Sequence, residues 1–461
     1  MLVLLDGAVC RRTGLWPLAE QLQPSAPAPS PGAGTRTKGV EVRFASDAAT
    51  PEVAWRTVFV VGRAAAAGPP GATRYHVRMQ LRESPGGSEL RAVVTDDGKP
   101  KSGGDGCPEA RAPVYRHDDR GSLDARALEL GLRLIRALIE GTVEPLPTSE
   151  NVGGSAPWRD LEDAPRWIGF SRRLPRLVYG AAKAVPFALL LYLFRPVRDL
   201  VRTVARRHPV RIFTFHRVGC LCRDGMTVRP DVFRRQLSYL KRFHDIVALS
   251  DAVGALRSGR RLRRPIAVVT FDDGYASVCE LAHPVLAEAR LPACVFLSTE
   301  LVGTTRRFPH DAQNPVRTYL PVMSTADAMA LRRDGWELGA HTATHRRLAD
   351  LTGGELVHEV EAPIPALRRL QGPGPVFMAY TFGGRADITP EAFEAVRRAG
   401  YAALCSNYGG ENVPPSDLLQ LHRIDLGGDH DPLAWRAFAH GLDLRGLARR
   451  ARSLLAAPVG S

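Results

Sequence analysis

Two acidic residues, Asp272 and Asp273, stand side by side after the apolar run Ala267-Val268-Val269-Thr270-Phe271 and directly before Gly274. Further along, a second short run ends in His341-Thr342-Ala343-Thr344-His345. Adjacent carboxylates at the end of a buried strand are costly to desolvate unless something uses them, and a glycine after them lets the chain turn tightly. Imidazoles four positions apart share one face of a helix, or meet in a tight loop. Two histidines and one carboxylate form a common facial metal set with open positions for water and substrate. The second aspartate is then left over as a general base. Taken singly, each motif is ordinary. An Asp pair is a frequent turn or helix cap, and His-x-x-x-His here lacks the glutamate of the metalloprotease signature. Their joint appearance, each at the end of a strand, is what points to a site.

The elements that would position these residues begin at Arg211, where short β runs alternate with helices. Strands are expected at 211–218, 265–272, 293–298, 336–341, 376–382, 401–406 and 418–425. Between them, helices are expected at 231–243, from the second strand to Arg290, at 325–333 with Ser324 as cap, at 354–370 with a kink near Pro363 and Pro365, and at 389–398. Alternation of this kind implies a parallel sheet, open or closed, with its functional groups at the C-terminal strand ends. The Asp pair and the histidines fall at such ends.

Thr270-Phe271-Asp272-Asp273-Gly274-Tyr275 together with His341 to His345 resembles the polysaccharide deacetylase family, the chitooligosaccharide deacetylase homology domain. Thr214-Phe215-His216-Arg217-Val218 and the stretch Ala399 to Asn407 fit the same family, and the resemblance spans roughly Arg211 to Leu442. It implies a distorted (β/α)7-type barrel and metal-dependent removal of an N-acyl group from an amino sugar. Carried over by position, Asp273, His341 and His345 would bind a divalent ion, zinc or a similar metal, and Asp272 would be the base. The resemblance also places His216 and His422 as further catalytic histidines, and Tyr380 near the backbone N–H that would hold the oxyanion. Tyr275 is expected at the substrate cleft, and His310, in the loop 303–321, is expected in solvent. The third motif, Ala379-Tyr380-Thr381-Phe382-Gly383, departs from the family: Thr381 stands for the usual proline, and the arginine that orients the base in some members is missing. The substrate class implied is an N-acylated amino sugar, free, in an oligosaccharide, or linked to a lipid or nucleotide. The alternatives are an N-formyl or other sugar amide, or a barrel that binds a glycan without catalysis.

The remainder of the chain is less informative. Its 461 residues are 44% hydrophobic and 24% charged, ordinary for a globular protein, so a collagen-like rod and wholesale disorder are excluded. The net charge of +14 comes with five lysines against 57 arginines, a bias that reads as composition rather than as a nucleic-acid surface. Seven cysteines, sparse and odd in number, argue against a disulfide framework, and Cys220-x-Cys222 has no second pair beside it to make a zinc site. The fold expected is α/β: a smaller mixed α/β domain over residues 1–170, a basic apolar connector at 171–208, the barrel at 209–442 and a basic tail at 443–461. Within the first domain, Arg74 to Leu81 and Ser88 to Thr95 suggest a hairpin, and Ser122 to Glu140 an amphipathic helix. The opening residues lack a basic start and a long apolar core, so no secretory signal is expected. The connector contains the apolar run Leu177 to Phe194 with arginines on both sides, which reads either as a buried helix or as an interfacial membrane anchor. The expected location is the cytoplasm, with or without peripheral contact to a membrane.

Overall fold

The computed structural model describes residues 190–222, 224–311, 320–428 and 432–442, together with six strands and a few single positions between residues 15 and 160. The opening residues, the stretch 21–34, the connector up to residue 189 and the tail from residue 443 lie outside the described residues. The chain divides into two compact units, one of residues 1–174 with 219–223 and 313–319, the other of 175–218, 224–312 and 320–461.

The first unit contains an antiparallel sheet of β1 (Gly39–Glu41), β2 (Val58–Ala64), β3 (Arg74–Ser84), β4 (Gly87–Asp96) and β5 (Glu109–Val114), in that order, with β6 (Arg159–Asp160) beside β3. The expected hairpin is β3–β4, longer than the sequence suggests and closed with Ser84 opposite Gly87. β5 pairs antiparallel with β4, Ser88 opposite Val114. Of the expected helix, residues 125, 126, 129, 130 and 133 are described, and they are helical.

The second unit opens with α1 (Arg195–Ala205), entered through a π-helical turn at Leu190–Phe194. There follow β7 (Val210–Phe215), the small pair β8 (Arg217–Val218) and β9 (Thr227–Val228), α2 (Pro230–Phe243), β10 (Asp245–Ile246) and α3 (Leu249–Arg257). Next come β11 (Ile266–Phe271), α4 (His283–Ala289), β12 (Cys294–Leu297), α5 (Thr325–Arg333), β13 (Glu337–Ala340), α6 (Gly353–Glu361), α7 (Pro363–Gln371) and β14 (Phe377–Ala379). The unit ends with α8 (Pro390–Ala399), β15 (Ala403–Cys405), β16 (Arg423–Asp425) and α9 (Pro432–Ala439).

Seven parallel strands run in the order β15-β14-β13-β12-β11-β7-β16, and a parallel bridge from Cys405 to Leu421 brings the two ends together. The result is the expected seven-stranded β/α barrel, nearly closed. Inward-facing residues such as Ile212, Val268, Phe296, Phe377 and Cys405 form its core, and the apolar face of α3, with Leu249, Val253 and Leu256, packs against it beside Val210 and Ile266 at the strand starts. With the N-terminal end filled in this way, chemistry has room at the other end.

Local signals account for the element boundaries. Ser324 and Asp327 form a reciprocal capping box at the start of α5, worth about 1 kcal/mol. Thr389 caps α8, Pro390 occupies its first position, and Gly400 closes it at φ 80°. The helix expected at 354–370 is two helices, because Pro363 cannot donate within a continuing helix and instead starts α7.

Candidate active site

Asp272 continues β11 by donating its backbone N–H to Phe215 O at 2.9 Å. The chain then turns sharply, with Asp273 at φ 73° and Gly274 at φ 86°. A Cβ on Gly274 would lie 2.7 Å from Leu297 Cδ2, so the turn needs glycine on both counts. After β13, Thr342 and His345 also take left-handed conformations, φ 61° and 68°, and Phe382 in the third motif does so at φ 61°. The other described non-glycine residues with positive φ, Arg206 and Arg290, are helix C-caps. Left-handed backbone at a β-branched or bulky residue is strained, and here the strain gathers where the carboxylates and imidazoles meet.

The two loops bring Asp273, His341 and His345 together, all buried. Asp273 Oδ1 lies 3.3 Å from His341 Nε2 and 3.0 Å from His345 Nε2. His341 Nδ1 is 2.9 Å from the Ala379 carbonyl, which can only accept, so Nδ1 carries the hydrogen and Nε2 is left to face Asp273. The backbone N–H of His345 donates to Thr342 Oγ1 at 3.0 Å, and Thr381 Oγ1 lies 3.2 Å from the same hydroxyl. Thr381, in place of the proline, thus ties the third motif to the histidine loop. The buried Glu359 of α6 braces that loop further, accepting from Thr344 N at 2.9 Å and from the Thr344 hydroxyl.

The donor set suits a divalent cation. Asp273 Oδ2 is buried without a hydrogen-bond partner, and the ligand atoms of the three residues lie within 4.8 Å of one another. Among the described residues no other group of three His, Cys, Asp or Glu side chains is so placed. Cys220 and Cys222 are buried and belong to no such group among the described residues.

Asp272 has a different partner. Arg423, at the start of β16, donates from both ends of its guanidinium to Asp272, at 2.6 and 2.7 Å, and both side chains are fully buried. The arginine that contacts Asp272 thus comes from the last strand and not from the third motif. Arg423 also donates to Ser406 O at 2.9 Å and lies over the Phe296 ring. Burial alone would raise the Asp272 carboxyl, but the charges of Arg423 and His341 outweigh it and hold the group below the ordinary carboxylate range. At Asp273 burial is again opposed, by His345 and His341, and the carboxyl is held well below that range. His341 itself is lowered by burial but raised more by Asp272 and Asp273, for a net rise. His216 Nε2 stands 4.0 Å from Asp272 Oδ2.

Four residues sit differently from expectation. Tyr275 is buried rather than lining a cleft: its hydroxyl donates to Asp311 Oδ2 at 2.6 Å, and Arg217 holds the other Asp311 oxygen at 2.7 Å. His310, expected in solvent, is partly buried beside the cluster, with Nε2 2.8 Å from Tyr275 Oη and 3.8 Å from Asp273 Oδ2. Since the tyrosine proton goes to Asp311, His310 Nε2–H is the donor to the tyrosine oxygen. Tyr380 spends its backbone N–H on Cys405 O at 3.0 Å, whereas the N–H of Phe382 has no acceptor among the described residues. The Tyr380 ring faces a cavity of about 550 Å³, shared with Arg385, Phe393, Ser406, Tyr408 and His422. His422 belongs to this cavity and not to the Asp–His cluster, because Leu421 and Arg423 on either side point into the barrel and strand alternation turns residue 422 outward.

Residues 259–404 match the family model described as polysaccharide deacetylase. The match contains Asp272, Asp273, His341 and His345, and leaves His216, His422 and Arg423 outside. No curated protein matches the chain. Among solved structures, IcaB from Ammonifex degensii is 22% identical, with 51% of this chain and 97% of that one covered at a TM-score of 0.42. A Streptococcus pyogenes deacetylase, PplD, solved with acetate, is 17% identical, with 48% and 93% covered at 0.41. A de-N-acetylase from Aggregatibacter actinomycetemcomitans is 16% identical, with 50% and 99% covered at 0.41.

Proposed function

We propose that the second unit is a metal-dependent carbohydrate N-deacetylase, hydrolysing the N-acetyl group of an amino-sugar-containing substrate. One observation carries the reading: a buried Asp273–His341–His345 set stands beside a second carboxylate, Asp272, that a bidentate arginine keeps ionised. The family match over residues 259–404 supports the substrate class. Asp273 Oδ, His341 Nε2 and His345 Nε2 would hold the ion, expected to be zinc. When bound, it would acidify a water and polarise the amide carbonyl.

Asp272 then takes the proton of the attacking water. It suits that role because Arg423 fixes both of its oxygens and favours the ionised form. The negative oxygen of the tetrahedral intermediate needs a preorganised donor. We assign this to Phe382 N–H rather than Tyr380 N–H, which Cys405 already occupies. His216, next to Asp272, is assigned to protonate the departing amine. His310 Nε2–H is already given to the Tyr275 hydroxyl oxygen, so His310 borders the cluster and is assigned no step.

The test is metal content together with acetate release from N-acetylated amino-sugar oligomers, for wild type and for Asp272→Ala. The expected outcome is one metal ion in both, with release slowed about 10²–10⁴-fold in the variant. Metal in both with no release by wild type from any oligomer would leave a glycan-binding barrel. Failure to take up zinc at all would overturn the reading.

A further inference from the structure

We propose that helix α1 and the arginine loop beside it form a docking surface for an anionic phospholipid membrane. A surface helix ordinarily turns its apolar stripe to its own core. In α1 and the turn before it the orientation is reversed. Leu193, Val197, Leu200, Val201 and Val204 recur at helical spacing on one face, and each is between 62% and 78% exposed. The charged face is the one turned to the barrel. Arg202 pairs with Glu411 at 2.6 Å, and Arg195 contacts His440 Nε2 at 3.0 Å and lies over the Phe243 ring. The helix is therefore anchored by its polar side and has no buried residue of its own. A contiguous exposed apolar face of this kind marks a surface that meets another apolar medium.

Charge identifies that medium as a bilayer. The chain leaves α1 through Arg206 and Arg207, and Arg207 pairs through the backbone with Leu262. Leu262 sits inside the run Arg260-Arg261-Leu262-Arg263-Arg264, whose four arginines are exposed. Of these six arginines only Arg264 has an acidic partner among the described residues, Asp245 at 3.1 Å. An apolar helix face bordered by unpaired cations is the two-part signature of in-plane binding to anionic lipid. In sequence, the apolar run that begins at Leu177 leads directly into this helix. No described helix is long and apolar enough to cross a membrane, and the contact proposed lies in the plane of the membrane surface. The surface lies at the starts of β7 and β11, the opposite end of the barrel from Asp272, so binding and chemistry can be tested separately.

The experiment is co-sedimentation of the full chain with vesicles of phosphatidylcholine alone and of phosphatidylcholine with an equal part of phosphatidylglycerol. Wild type should partition onto the anionic vesicles and much less onto the neutral ones. Val197→Asp with Val201→Asp should weaken partitioning at least about 10-fold, with metal content and the thermal transition unchanged, since both side chains stand in solvent. Arg260→Glu with Arg261→Glu should abolish the preference for phosphatidylglycerol. If no vesicle binds, or if the valine variant binds as wild type does, the proposal fails. It fails equally if sedimentation shows that the valines instead hold a dimer, which the aspartates dissociate.

Discussion

Asp272 and Asp273 are adjacent and chemically identical, yet the fold gives them different work. Asp273 receives two imidazoles and Asp272 a guanidinium. A carboxylate with an unpartnered oxygen between two histidines suits the ligand role proposed for Asp273, whereas one gripped by a planar fork suits the proton transfer proposed for Asp272. Arg423 should therefore govern the pH range of catalysis. Arg423→Met removes the charge that keeps Asp272 ionised, so its carboxyl rises and the acid limb of kcat/KM moves to higher pH. A profile that falls in amplitude without moving would show that Arg423 only packs. Because the partner left behind is a buried charge, folding should also weaken, by about 3–5 kcal/mol. Arg423→Lys keeps the charge without the fork and should fall between the two.

The strands place these groups through close contacts that leave little room. Gly339, in the middle of β13, faces the barrel interior, where a Cβ would lie 2.4 Å from Phe296 Cδ1 and 3.2 Å from Phe377 O. Phe296 in turn lies under the Arg423 guanidinium, 5.4 Å from it. Gly339→Ala must move the Phe296 ring, since the Phe377 carbonyl belongs to the sheet. We expect a loss of about 1–3 kcal/mol in unfolding free energy, read from urea unfolding. We also expect kcat to drop more than metal affinity, because the disturbance reaches Arg423 and Asp272. Equal loss of both would place the effect in the histidine loop, which leaves β13 two residues later.

Charge is also buried far from the site, and it sets the response of the whole barrel unit to acid. At the N-terminal end, burial and the charge of Arg211 hold His244 at about 3, from an ordinary 6.5. Burial and Arg195 hold His440 at about 2. Both stay neutral in the folded protein over a range in which the unfolded chain takes up protons. Stability is therefore undiminished above pH 6.5 and falls as pH drops below it, by about 1.4 kcal/mol per pH unit for each histidine. Between pH 6.5 and 5 the loss is about 2 kcal/mol from each. Glu411, whose burial is offset by Arg211 and Arg202, is held below the ordinary carboxylate value, so its contribution persists through this window. Urea unfolding at pH 7 and pH 5 should show the slope, and His440→Gln should roughly halve it. A flat dependence would mean that these imidazoles protonate within the native fold.

The amino-acid order alone pointed to a parallel α/β sheet, to nearly all of its strands and to the four residues proposed for the site, while closure into a barrel came from the family resemblance. These depend on local properties: apolar runs that must be buried, capping residues, and carboxylate and imidazole groups adjacent to them. What only the tertiary structure decided are pairings between distant segments. Arg423 lies far along the chain from Asp272, and the one available hint was an arginine inside an apolar strand, costly there unless paired. His422 shared the family's position but was turned outward by strand alternation, which depends on register. His310 and Tyr275 found their places through Asp311 and Arg217, residues with no motif of their own. The outward apolar face of α1 was likewise unreadable, since helical spacing shows that a stripe exists and only packing shows which way it points.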